Sequence, residues 1–356
     1  MKDMETINNG SHCVEEAALT QKKVIDIHAH IVGPGDSGSG CSMSREFRFG
    51  PAFAAMLMGL RIGPLDATDG KIRAAVLASV EASSSIDHAV VLALDGVYKN
   101  GSLAAAESQV IVANDYVMGL AAESGKVLLG ASVHPYREPR NMQAEMRRCL
   151  DAGAALFVWA PACQQINPED DRCIPFYLCL AREGIPLLCH GGTVFTTRSS
   201  AAKFSWYNES RRLRRALDIG VKVIISYSHA SCGGVFPSYD YDSIDDLLEM
   251  LRSADENGWE LYADISALCS PSGTNCLERL KREIAMRKVR PERILFGSDF
   301  PRPVIDISSL RRGMTPDELR QRLMCGGNMF DSAFDALRKF GMDEAVFTSA
   351  ADILRL

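Results

Sequence analysis

The chain has 356 residues, of which 47% are apolar, 24% charged and 7% aromatic, enough to bury a large core and without the biases of disorder, coiled coils or disulfide mini-proteins. Its 39 basic and 45 acidic residues leave a formal charge of −6, which argues against nucleic acid or an anionic membrane as partner and for an enzyme with a small-molecule substrate. The eleven cysteines include no C-x-x-C pair, so neither a zinc knuckle nor a disulfide framework is indicated, and a cytoplasmic location is expected.

Residues 1–23 read as a polar tail without the apolar segment of a signal peptide, and nowhere do ~18 apolar residues run together as a membrane span requires. From residue 24 to 356 the pattern is that of one domain. Short β-branched runs at 24–28, 89–95, 127–134, 155–160, 185–190, 222–229, 260–266 and 293–299 read as strands. Between them lie helix candidates near 70–86, 104–124, 140–151, 171–183, 208–219, 243–257, 274–288 and 315–325. From the second strand on, strand ends fall 26 to 39 residues apart, the size of a βα unit. Eight such units without a composition break predict a (β/α)8 TIM barrel, whose reactive groups sit at the C-terminal strand ends. A doubly wound open sheet fits the same alternation, but no glycine-rich fingerprint follows the first strand.

Residues 33–70 form an unusually long first βα connection, read as an irregular lid-like insertion carrying Arg45, Phe47, Arg48 and Phe49. A second irregular stretch follows the fifth strand at 191–207. Beyond 326 a C-terminal helical extension begins with a helix at 328–340, placed either over the barrel or against a second subunit, so a homo-oligomer stays open.

I-D-I-H-A-H at 25–30 sets His28 and His30 two apart at a strand end, so both project into the mouth and are fixed together as metal ligands. The runs ending in His190, His229 and Asp299 converge on the same mouth, because closure of eight strands brings the first beside the eighth. Imidazole with carboxylate suits zinc or another divalent ion.

Four segments together, V-I-D-I-H-A-H at 24–30, G-I-P-L-L-C-H-G-G at 184–192, S-H-A-S-C-G-G at 228–234 and R-I-L-F-G-S-D-F-P at 293–301, resemble the amidohydrolase superfamily. The likeness is to its amidohydrolase-related branch, which includes aminocarboxymuconate semialdehyde decarboxylase. The resemblance implies that His28, His30, His190 and Asp299 bind one divalent metal, with zinc the expected ion, and that His229 sits beside the metal-bound water. Two-metal members carry a bridging lysine on the fourth strand, where this chain has Val158, so a single-metal site is expected.

His134, at the end of the third strand, is either a substrate contact or a structural histidine in its His-Pro turn. Trp159, Arg198, Arg302, Arg45 and Arg48 are further substrate-binding candidates, the arginines as clamps for a carboxylate. Asp26 reads as support behind a ligand. Asp264 and Ser266 are weaker candidates at the mouth. The implied activity is a metal-dependent hydrolase attacking a small, carboxylated amide, lactone or ester through water, with His229 and Asp299 moving protons. A metal-dependent decarboxylase of an unsaturated or aromatic acid is the alternative, and a barrel that only binds is a third.

Overall fold

The computed structural model describes residues 22–192, 203–227, 244–266, 274–302 and 327–356. Eight parallel strands run in chain order around one sheet: β1 (Ile25–His30), β2 (His88–Leu92), β3 (Val127–Ala131), β4 (Leu156–Trp159), β5 (Leu187–Gly191), β6 (Val223–Tyr227), β7 (Leu261–Asp264) and β8 (Ile294–Leu295). The barrel closes where the chain after β8 returns to β1. Ile27 N–H donates to Phe296 O at 3.1 Å, Asp299 N–H donates to His28 O at 3.1 Å, and Ala29 bridges Phe300. All eight expected strands are present, with helices packed between them, and among the described residues no helix is long and apolar enough to cross a membrane.

Apart from Asp26 and the polar residues at their ends, the strands are apolar because each buries both faces. Ile25, Ile27, Val90, Leu92, Leu156, Val158, Leu188, Ile224 and Leu295 fill the inside of the barrel. Their neighbours Val91, Phe157, Trp159, Cys189, Ile225 and Phe296 point outward into the layer beneath the helices. Helix α1 spans Pro51–Leu60, α2 Asp69–Glu81, α3 Asn114–Glu123, α4 Pro139–Asp151 and α5 Ile174–Glu183. Of these α4 shows the logic plainly: Pro139 starts it, and Met142, Met146 and Cys149 form the buried stripe.

Three local expectations fail for physical reasons. The lid-like insertion is not irregular: it contains α1 and a short turn of helix at Arg45–Arg48, capped by Ser44 Oγ accepting from Phe47 N–H at 3.1 Å. The stretch 104–124 is α-helical only in α3, with a single 3-10 turn at Ala105–Glu107 before it, because Val110–Ile111 pairs antiparallel with Ser42–Met43 and ties the second βα loop to the first. The stretch 208–219 breaks into short 3-10 turns before a helix at Arg214–Asp218. The helix expected near 315–325 lies outside the described residues.

At the C-terminus, α6 (Met329–Phe340) is capped by Asn328, whose side chain accepts from Phe330 N–H at 2.9 Å, and ends at Gly341, left-handed with φ 80°. The final helix, Ala350–Leu354, sends Ala350, Ile353 and Leu354 into the apolar cluster that fills the barrel. It therefore plugs the end opposite the histidines. Replacing Ile353 by Ala leaves a hole in that plug and is expected to lower the unfolding free energy by about 2–4 kcal/mol, as measured by urea denaturation.

Candidate metal centre

The mouth residues follow from the period of two. His190 stands two after inward Leu188, Ser226 two after Ile224, Asp264 two after Tyr262, and Asp299 four after Leu295. In β1 the alternation is reset. Asp26 pairs with Ala89 but Ala29 with Val91, so Ile27 and His28 together oppose Val90. This bulge lets Ile27 stay inside the barrel while His28 and His30 both turn into the mouth.

The result is three imidazoles, His28, His30 and His190, whose ligand nitrogens all lie within 4.8 Å of one another. His28 Nε2 is 2.9 Å from His30 Nε2, and Asp299 Oδ1 lies 3.4 Å from His30 Nε2 and 4.0 Å from His28 Nε2. Asp299 reaches this point from a left-handed backbone at φ 58°, a conformation that a non-glycine residue adopts at some cost. Its other oxygen, Oδ2, accepts from Arg302 at 3.0 Å. Burial pushes His30 and, more strongly, His190 below the ordinary histidine value, so both are neutral. Burial opposes the charged form of His28 too, but the neighbouring Asp264 carboxylate outweighs it and raises the value. Burial works against ionised Asp299, yet His30, Arg302 and His28 hold its carboxyl well below the usual range. Two neutral imidazoles, a third nitrogen beside them and an ionised carboxylate form a donor set suited to a divalent metal ion.

A carboxylate stands behind the cluster. Asp264 Oδ2 accepts from His28 Nδ1, Ser226 Oγ lies 3.1 Å from the same nitrogen, and Ser266 N–H donates to Asp264 Oδ1 at 2.7 Å. Asp26 Oδ1 accepts from the backbone N–H of His28 at 2.9 Å and of Ser298 at 3.1 Å, bracing β1 against the chain after β8.

The histidines open into a cavity of about 200 Å³. Phe47, Ala52, Met56, Leu94, Val97 and Val112 supply an apolar wall from the first two βα loops, and Arg302 lines the cavity beside Asp299. Val158 on β4 points into the barrel, buried and apolar, and offers no ligand to an ion.

The other substrate-binding candidates lie elsewhere. Trp159 points outward, fully buried, its indole N–H donating to Val133 O at 3.0 Å while its ring packs 4.6 Å from that of Phe176. His134 is also fully buried; Nε2 donates to Gln164 O at 2.9 Å and Nδ1 accepts from Tyr136 N–H at 3.0 Å, so both nitrogens serve the fold. Arg45 and Arg48 are exposed on their helical turn, whose inward residue is Phe47. His229 and Arg198 lie outside the described residues. Sequence reasoning underrated Asp264, whose parity with Tyr262 was the available signal.

No protein-family model and no curated protein matches the chain. Solved structures do. A TIM-barrel protein from Bordetella bronchiseptica matches 90% of this chain and 99% of its own at 15% identity, with a TM-score of 0.52. A candidate 2-pyrone-4,6-dicarboxylic acid hydrolase from Pseudomonas putida matches 94% and 98% at 14% identity, TM-score 0.52. The 5-carboxyvanillate decarboxylase of Novosphingobium aromaticivorans, crystallised with manganese and 3-methoxy-4-hydroxy-5-nitrobenzoic acid, matches 94% and 97% at 12% identity, TM-score 0.50. The chain thus has the TIM-barrel fold, which these neighbours use for a candidate hydrolase and for a decarboxylase.

Burial pushes His134 down to about 4. In the unfolded chain the same ring takes up its proton near 6.5, so as pH falls from about 6.5 to about 4 the unfolded state binds a proton that the native state excludes. The contribution is complete above that window and lost below it, roughly 3 kcal/mol in all. His134→Gln should therefore flatten the pH dependence of the unfolding free energy between 6.5 and 4; equal slopes in variant and parent would contradict the assignment.

Proposed function

We propose that the protein is a metal-dependent hydrolase of amidohydrolase type, acting on a small organic substrate with an amide, lactone or ester bond. The observation that carries the reading is the convergence of His28, His30 and His190 with the ionised Asp299 at one mouth. These four residues would hold one divalent ion, with zinc the expected metal. When bound, such an ion lowers the pKa of a coordinated water and polarises the substrate carbonyl.

The chain's own groups do the rest. Arg302, by holding Asp299 Oδ2, aims Oδ1 at the histidines and brings a positive charge to the cavity where an anionic substrate group would lie. The apolar wall opposite keeps bulk water from the reacting bond. By the resemblance of S-H-A-S-C-G-G at 228–234, His229 takes a proton from the attacking water, and Asp299 passes one to the leaving group.

A second reading, a decarboxylase of an unsaturated or aromatic acid, is favoured by the same wall, since a flat apolar acid seated there presents its carboxylate to the histidines out of water. Lactones, amides and aromatic carboxylic acids should be screened with metal-replete protein: ring opening or acyl cleavage supports the hydrolase and carbon dioxide release the decarboxylase. Activity that survives exhaustive chelation would defeat both. With an active substrate in hand, His229→Asn should keep its metal and lose about 10²–10⁴ in rate, whereas His190→Asn should lose metal as well. Equal metal loss in the two variants would make His229 a ligand instead.

A further inference from the structure

We propose that Asp264 is the positioning residue of the metal centre, fixing the His28 ring so that Nε2 faces the ion; the proposal rests on the metal-binding reading above. Imidazole has two nitrogens, and a ring free to turn about its bond to Cβ presents either one. Here Asp264, fully buried at the end of β7, accepts from His28 Nδ1 across 236 residues of chain. A carboxylate only accepts, so the Nδ1 proton is held there and Nε2 is left to the cluster, 2.9 Å from His30 Nε2. The carboxylate is itself braced: Ser266 donates to it through its backbone N–H at 2.7 Å and its hydroxyl at 3.1 Å.

Gly297 is a separate sign that this contact is built into the fold. A Cβ on Gly297 would lie 2.6 Å from Asp264 Oδ1, 2.8 Å from His28 Cβ and 3.1 Å from Ser266 Cβ. All three belong to the bracket: two are Cβ atoms fixed by their backbone, and the third, Asp264 Oδ1, is held by the Ser266 N–H. The glycine of the F-G-S-D segment is thus what lets a β7 carboxylate close on a β1 histidine.

The test uses full-length protein with zinc as the probe. Zinc affinity is measured by chelator competition for the parent, Asp264→Asn and Gly297→Ala, and ¹⁵N spectra of histidine-labelled, zinc-loaded parent identify which His28 nitrogen carries the metal. The proposal expects Nε2 metallated and Nδ1 protonated in the parent, and an affinity loss of about 10–100-fold in Asp264→Asn, with a loss also in Gly297→Ala. Binding by Asp264→Asn within twofold of the parent overturns it, as does a parent whose His28 coordinates through Nδ1. Should Asp264→Asn fail to fold, the parent spectrum and Gly297→Ala still test the proposal, since coordination of His28 through Nδ1, or zinc binding by Gly297→Ala equal to the parent's, overturns it. A parent that takes up no divalent metal removes the metal-centre reading itself, an outcome distinct from equal binding by parent and variant.

Discussion

Ile27 and His28 face a single partner residue, Val90, across the ladder between β1 and β2, and the geometry of the mouth depends on that extra residue. Without the bulge, strict alternation would send His28 outward whenever Ile27 packs inside the barrel. With it, the strand supplies an apolar side chain to the core and two imidazoles to the mouth within four residues. The closure of β8 on β1 then brings Asp299 to the same point through the hydrogen bonds from Ile27 to Phe296 and from Asp299 to His28.

The arrangement is costly by itself. Burying His28, Asp264 and Asp26 together removes charge and hydrogen-bonding groups from water, and such clusters are retained only where partners satisfy them. Asp26 is pushed up to about 7 by burial, while Asp264 and Asp299 each face an imidazole. The left-handed backbone at Asp299 adds strain of the kind that concentrates at functional sites. These costs fall at one end of the barrel; the opposite end, plugged by Ile353 and Leu354, is apolar and supplies the packing that carries them.

The barrel was legible in the sequence because eight doubly buried strands leave eight apolar runs, and His28, His30, His190 and Asp299 were legible because each ends one. What escaped did so for identifiable reasons. Helix α1 has almost no polar face, since Phe53 and Leu57 pack into the core while Ala52 and Met56 line the cavity, so no helical alternation marks it. The antiparallel pairing of Ser42–Met43 with Val110–Ile111 is a tertiary contact that stops the helix-forming alanines at 104–106 from starting a long α-helix and leaves one 3-10 turn at Ala105–Glu107. Trp159 sits at a strand end as the histidines do, but its parity is outward, which only the register of β4 reveals. The link between Asp264 and His28 has no local signature, being made between the first and seventh strands.

The central claim is that three imidazoles and one carboxylate hold a single ion at this mouth. X-ray absorption spectroscopy of the zinc-loaded protein tests it most directly, because imidazole rings give their own outer-shell scattering. The account predicts zinc at about one per chain with three imidazole nitrogens at about 2.0–2.1 Å and oxygen completing the sphere. A spectrum showing fewer than two imidazoles, or thiolate sulfur at about 2.3 Å, would contradict it.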